Sequence, residues 1–215
     1  KTMSQSNPST SDAGQERDAL SGLVDTLDTL ERRIFGGESH SGRLISAESL
    51  DRILRRAGVC ALASVERSES TDAPRLDLSA DVKRVIDTKS EMKQSGHLLS
   101  LRHAALLQIV ESLFRYLEYT ADLEPDAYAR IQYLQTGLAR ILVADPNVLS
   151  RPDHPARQLL EALVNTGKTY DPHSGPSAEN LMGQIGGIVK AAVEVPRPTE
   201  NAYSSGLREY FALIE

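Results

Sequence analysis

The chain has 215 residues and a formal charge of −6 at pH 7, from 24 Lys+Arg against 30 Asp+Glu; this acidic balance disfavours a protein built around nucleic acid or an anionic membrane. Its apolar share of 40% lies under the roughly 45–50% of globular chains, so one domain with some chain outside the core is expected. A single cysteine excludes an internal disulfide or a multi-Cys metal site, no apolar run approaches the ~18 residues of a membrane helix, and the start does not resemble a signal peptide.

Residues 1–14 are rich in Ser, Thr, Gln and Asn, with Met3 their one large apolar residue. Such a segment buries too little surface to offset its ordering entropy and reads as a disordered tail. The opening Lys1 fits a piece of a longer chain. Leu20, Leu23, Val24, Leu27, Leu30 and Ile34 then follow the three-to-four spacing of one buried helical stripe, which Gly36-Gly37 ends. A second stripe runs through Leu50, Ile53, Leu54, Ala57 and Leu62, with Ser46 as N-cap. Together these make an N-terminal helical hairpin over 15–63. The polar, proline-bearing stretch 64–76 is a linker, and 77–215 is the main helical domain.

Within that domain, Val82, Val85 and Ile86 mark a short charged helix. Leu106, Ile109, Val110, Leu113, Phe114 and Leu117 give a wide apolar face over about three turns. Glu124-Pro125 opens one helix carrying Tyr128, Ile131, Leu134, Leu138, Ile141 and Leu142, and Asp145-Pro146 stops it. Asp153-His154-Pro155 starts the next, with Leu159, Leu160, Leu163 and Val164, and Asn165-Thr-Gly167 is expected to close it in a left-handed turn. A loop with Pro172, Gly175 and Pro176 leads to Leu181, Ile185, Ile188, Val189, Ala192 and Val193. Pro196 and Pro198 bound that helix, and a last one holds Leu207, Tyr210, Phe211 and Ile214. Nothing alternates with period two over a useful length, so the fold class is all-α, an antiparallel multi-helix bundle or a helical-hairpin solenoid.

Chemistry is sparse. There is no G-x-x-x-x-G-K-[ST], and Gly183, Gly186 and Gly187 fall in a helical pattern, where they read as close-approach residues between helices. His40, His97, His103, His154 and His173 show no metal-ligand spacing. Cys60, beside Val59, Ala61 and Leu62, reads as a small buried hydrophobe. Arg32-Arg33 and Arg52, Arg55 and Arg56 are interleaved with acids and read as exposed helix pairs. Carboxylates are assigned to solvated faces or caps. No catalytic, cofactor or metal residue is therefore expected.

One stretch is distinctive. Leu113-Phe114, Glu124-Pro125, Ile131-Gln-Tyr-Leu134-Gln135, Asp145-Pro-Asn-Val-Leu149 and His154-Pro155-Ala156-Arg157-Gln-Leu159-Leu160 follow one another in order. Over roughly residues 97–193 this resembles a large uncharacterised bacterial domain-of-unknown-function family, in which a Leu-Phe helix precedes the phrase His-Pro-Ala-Arg-x-Leu-Leu. Gly137 stands where that family usually has proline, and Val148-Leu149 where it has an aromatic pair. Members are sometimes labelled thymidine phosphorylase, an activity for which no phosphate loop or nucleoside-pocket motif is present here. Longer members end in a region similar to PilZ-type cyclic-dinucleotide receptors, so the resemblance implies a regulatory or docking module in nucleotide second-messenger signalling.

The residues singled out are Asp153, His154, Pro155 and Arg157, with Asp145 nearby. Architecturally, Asp153 or His154 caps a helix, Pro155 fixes its first turn and Arg157 reaches back to the cap or preceding loop. Functionally, Arg157 and His154 form a docking site. The expected function is a cytoplasmic, non-enzymatic helical interaction module, an adaptor or regulator with a protein partner or self-association, no nucleic acid and no membrane insertion. The competing reading is a nucleotide-handling enzyme or nucleotide-binding receptor using His154 and Arg157.

Overall fold

A computed structural model of the chain describes residues 44–65, 76–88 and 98–214, with Thr29 alone before them. The tail, the Leu20-to-Ile34 stripe, most of the 64–76 linker, His40 and His97 lie outside the described residues. The helices are α1 (Ala47–Val65), α2 (Leu78–Thr88), α3 (Leu101–Thr120), α4 (Pro125–Ile131), α5 (Leu134–Ala144), α6 (Pro155–Thr169), α7 (Pro176–Glu194) and α8 (Glu200–Ile214). Short 3₁₀ turns occupy Val148–Ser150 and Pro172–Ser174. Among the described residues there is no strand, only an isolated parallel bridge between Leu44 and Leu98. The fold is all-α.

The bundle is organised around α5. Every residue from Leu134 to Val143 is buried, because α1, α3, α4 and α7 all pack on this helix. In a solenoid each hairpin would touch only its neighbours in sequence. Here α1 meets both α5 and α7, far along the chain, which makes the fold a bundle. The stripes select the inward faces: Leu50, Ile53 and Leu54 of α1, Leu78, Val82 and Ile86 of α2, and Leu159, Leu160, Leu163 and Val164 of α6 are all buried in one continuous core. Each such aliphatic side chain contributes about 1.5–3 kcal/mol when fully removed from water. Leu107 and Met182 join the core although the stripes omitted them, while Ile109 is only half-buried.

Several local expectations are corrected. The helix opened by Pro125 is two helices, split at Gln132-Tyr133. The amides of Gln135 and Thr136 bond three residues back, to Gln132 and Tyr133, so the turn tightens with no glycine or proline to announce it. Gly167 does not end α6. The helix continues to Thr169, and a Cβ at Gly167 would come within 2.8 Å of Leu123 Cδ2 and 3.2 Å of Ile131 Cδ1. That glycine lets α6 close on α4. Conversely, Gly183 and Gly187 have nothing within 4 Å of a built Cβ, so neither is a close-approach residue.

In α8 the buried positions are Tyr203, Gly206 and Tyr210, while Phe211 and Ile214 are exposed. Both sets satisfy helical spacing, and the neighbours α6 and α7 decide between them. Cys60 is exposed, not the small buried hydrophobe that its neighbours suggest. Among the described residues no helix is long and apolar enough to cross a membrane.

Candidate functional site

The His-Pro-Ala-Arg stretch forms the corner where the Val148–Ser150 turn meets α6. His154 is the N-cap, with extended backbone (φ −72°, ψ 127°), and its Nδ1 accepts the Ala156 N–H at 3.1 Å. The side chain is buried and closes one of the orphan donors of the helix start. Pro155 at the first helical position lacks the N–H that would otherwise need a partner. Arg157 reaches back: its Nη1 donates to Leu149 O at 2.9 Å and its Nε to Glu161 Oε1 at 2.8 Å. Asp153 is exposed.

Asp145 stands beside this corner as the C-cap of α5, bonded to Arg151 Nη2 at 2.7 Å and to the Asn147 N–H at 3.0 Å. Burial is the main reason the His154 imidazole is held below its ordinary pKa, and Arg151 adds to it. Glu200, Asp145 and Asp153 pull the other way. Asp145, His154 and Arg157 thus share one corner.

Arg157 and the start of α6 also edge a groove of about 600 Å³ between α3 and α6. Its floor is apolar, from Leu113, Leu117, Leu149, Leu160 and Val164, and its rim carries Arg157, Glu161 and Lys168.

A second constellation was missed by reading the sequence. Arg140 is 1% exposed, yet charged, at the centre of the bundle. Its Nε and Nη2 donate to the two carboxylate oxygens of Asp51 on α1, at 2.7 and 3.3 Å. Its Nη1 donates to Val193 O at 2.7 Å and its Nη2 also to Pro196 O at 3.3 Å. Arg55 adds a bond from Nε to Glu194 O at 3.1 Å. Two arginines, from α5 and α1, therefore satisfy the carbonyls that the end of α7 leaves open, where the helix dipole also favours positive charge.

Arg55 is thus a cap and not an exposed ion-pair partner, and the Asp51 carboxylate is structural, not a solvated charge. The signal was present in the sequence: Arg140 is the one charged residue in Leu134–Ala144, LQTGLARILVA. A helix that is apolar all round is buried, and a charge inside it needs a partner.

Around this hub, Tyr203 of α8 is fully buried, and its hydroxyl has no hydrogen-bond partner among the described residues. Burial pushes its phenol well above the ordinary value; Arg140 opposes that and Asp51 reinforces it. The hydroxyl lies where a Cβ on Gly137 would sit 2.8 Å away, so Gly137 is what lets the ring lie against α5. Among the described residues no three His, Cys, Asp or Glu side chains group as a metal site.

The fold and these sites define an all-α bundle with a buried arginine hub and an apolar groove. The model of the family described as "Protein of unknown function (DUF1631) 2nd domain" matches residues 45–197, well over half of the chain, and the chain belongs to that family. The match starts at the head of α1, so it takes in α1 and α2 as well as the 97–193 stretch, and stops before α8. No curated protein and no solved structure matches the chain.

Proposed function

We propose that this chain is a non-enzymatic helical interaction module, an adaptor or regulator that docks an amphipathic helix of a protein partner between α3 and α6. The observation that carries this reading is the open groove floored by leucines and rimmed by Arg157 and Lys168. Laying one apolar helix face into such a trough is a recurrent mode of recognition, read as anchors three and four residues apart. Arg157 already neutralises Glu161, which leaves Lys168 as the rim charge to meet an acid on the partner. Any role in nucleotide second-messenger signalling would be exercised through this docking, with the receptor on another chain or region.

A photo-crosslinker at exposed Asn165, in the groove, tests this against one at exposed Asn201 on α8. The expected result is an adduct at Asn165 alone, mapped to an acidic amphipathic segment of another protein and lost in Lys168→Glu. Equal labelling at both positions, or an adduct to a second copy of this chain, overturns it. The nucleotide reading would need His154 and Arg157 to meet a phosphate, whereas His154 Nδ1 takes the Ala156 N–H and Arg157 is bonded to Leu149 and Glu161. Thermal-shift screening against mono-, di- and cyclic dinucleotides is expected to be flat.

A further inference from the structure

On the opposite flank of α3 from the groove, a cavity of about 170 Å³ opens between the start of α2, α3 and the α4–α5 break. Positions 111, 115 and 118 of α3 face it, roughly half a helical turn from Leu113 and Leu117, which line the groove. Its volume is well under the roughly 300–1,000 Å³ of sites that take a whole drug-sized ligand, so it suits a head group.

The lining has a definite chemical sense. Among the described lining residues, Glu111 and Asp77 bring two carboxylates beside the guanidinium of Arg115, while Glu118 has a partner of its own. Both carboxylates are fixed in place: Glu111 Oε1 accepts the Ser79 N–H, and Asp77 Oδ1 the Ala80 N–H at 2.8 Å, at the start of α2. Capping uses one oxygen of each carboxylate and leaves the negative charge at the cavity. Tyr119, largely exposed, adds an aromatic face, suited to a cation.

The independent observation is a pair of glutamines. Gln132 and Gln135 straddle the tightened turn between α4 and α5, are each only 3% exposed, and line the cavity. The Gln132 Nε2 donates to Ala129 O at 3.3 Å, which leaves its carbonyl oxygen available. The Gln135 side chain has no hydrogen bond among the described residues, and its amide meets the cavity and is not sealed away from it. Amide oxygens that face a cavity without a bonded partner are acceptors for a ligand that supplies N–H donors.

We propose that this cavity binds a small organic cation, a guanidinium or alkylammonium head group, held by Glu111, the Gln132 and Gln135 amides and the ring of Tyr119. Anionic ligands are disfavoured by the Glu111 and Asp77 carboxylates, so the site is distinct in chemistry from the nucleotide reading and separate from the groove. The same head group could come from a free amine or from the side chain of a polypeptide, and the two sources are distinguished by experiment.

The test titrates the full chain with agmatine and with N-acetyl-arginine methylamide while following the glutamine side-chain amides by NMR. N-acetyl-citrulline methylamide serves as the uncharged control. Saturable shifts of the Gln132 and Gln135 amides are expected with the cations and not with the citrulline compound. Binding should weaken roughly two- to fivefold in Tyr119→Ala, as loss of an exposed cation–π contact implies. Glu111→Gln should weaken it further; the amide still accepts from Ser79, so the cap survives. Tighter agmatine binding assigns the site to a free amine, and tighter binding of the blocked arginine assigns it to a polypeptide side chain. No saturable shift at millimolar cation, equal binding of the citrulline compound, or indifference to both substitutions overturns the proposal.

Discussion

Two arginines in this bundle each bond a carboxylate and a backbone carbonyl, and the resemblance ends there. Arg157 joins groups four and eight residues away, on the rim of an open groove. Arg140 joins groups 89, 53 and 56 residues away, and its side chain is wholly buried. Local bonds at a half-exposed side chain orient a loop against its own helix. Long-range bonds at a buried one tie α1, α5 and the end of α7 into one arrangement. The lesson is that the conspicuous motif carries little of the fold, and an unremarked arginine carries much of it.

The sharpest way to break that contrast is at the hub. Arg140→Ala leaves Asp51 and the carbonyls of Val193 and Pro196 without their donor, and should cost about 3–5 kcal/mol in chemical denaturation, as when one member of a buried ion pair is removed. Asp51→Ala, which strands the guanidinium, should cost nearly as much. The double substitution Arg140→Met with Asp51→Leu should recover part of the loss, because a buried pair is often replaceable by apolar groups of similar volume. A loss under about 1 kcal/mol for Arg140→Ala, the level of an exposed ion pair, would refute the hub.

The sequence made helices legible wherever one stripe faced the core. The faces of α1, α2, α6 and most of α7 are where the leucine and isoleucine spacing put them, because a half-buried helix writes its orientation into its own residues. What stayed hidden depends on partners. Nothing in Gln132-Tyr133 distinguishes a break from a continuous helix, since the i−3 bonds there follow from packing. Gly167 looked like a stop because only the nearness of Leu123 explains it. Of the candidate site, the N-terminal role of His154-Pro155 was legible from capping chemistry. The groove was not, because a leucine lining a trough and a leucine filling a core look alike in a list of residues.

A middle-sized effect is expected at His154. Burial first, and Arg151 second, hold its imidazole below the ordinary 6.5, so near that pH the folded chain binds fewer protons than the unfolded one. The stabilisation is therefore complete above pH 6.5 and is lost as pH falls through the lower folded value, where a protonated Nδ1 can no longer accept from Ala156. Melting temperature should decline with acidification in this window. His154→Ala should lower stability at pH 8 by about 1 kcal/mol, the typical worth of a cap. His154→Asn should retain the cap and flatten the decline.

Arg157→Ala is expected to cost about 1 kcal/mol or less, since its i,i+4 pair with Glu161 is worth only tenths and its side chain remains 31% exposed. A loss as large as that of Arg140→Ala would turn the motif into a second architectural staple and remove its docking role.

The smallest loss is predicted at a fully buried hydroxyl, that of Tyr203. Tyr203→Phe removes a buried oxygen that makes no hydrogen bond among the described residues, so stability should be unchanged or rise by up to about 1 kcal/mol. A partnered buried hydroxyl would have cost about 1–3 kcal/mol. The same oxygen stands 2.8 Å from where a Cβ on Gly137 would lie, which makes Gly137→Ala destabilising in the natural background. Combined with Tyr203→Phe, that alanine should regain most of its loss, because the clash is with the hydroxyl and the next nearest ring atom is a full 3.8 Å away. Additive losses in the double variant would mean instead that Gly137 is needed for its backbone, and that the ring of Tyr203 is not what it makes room for.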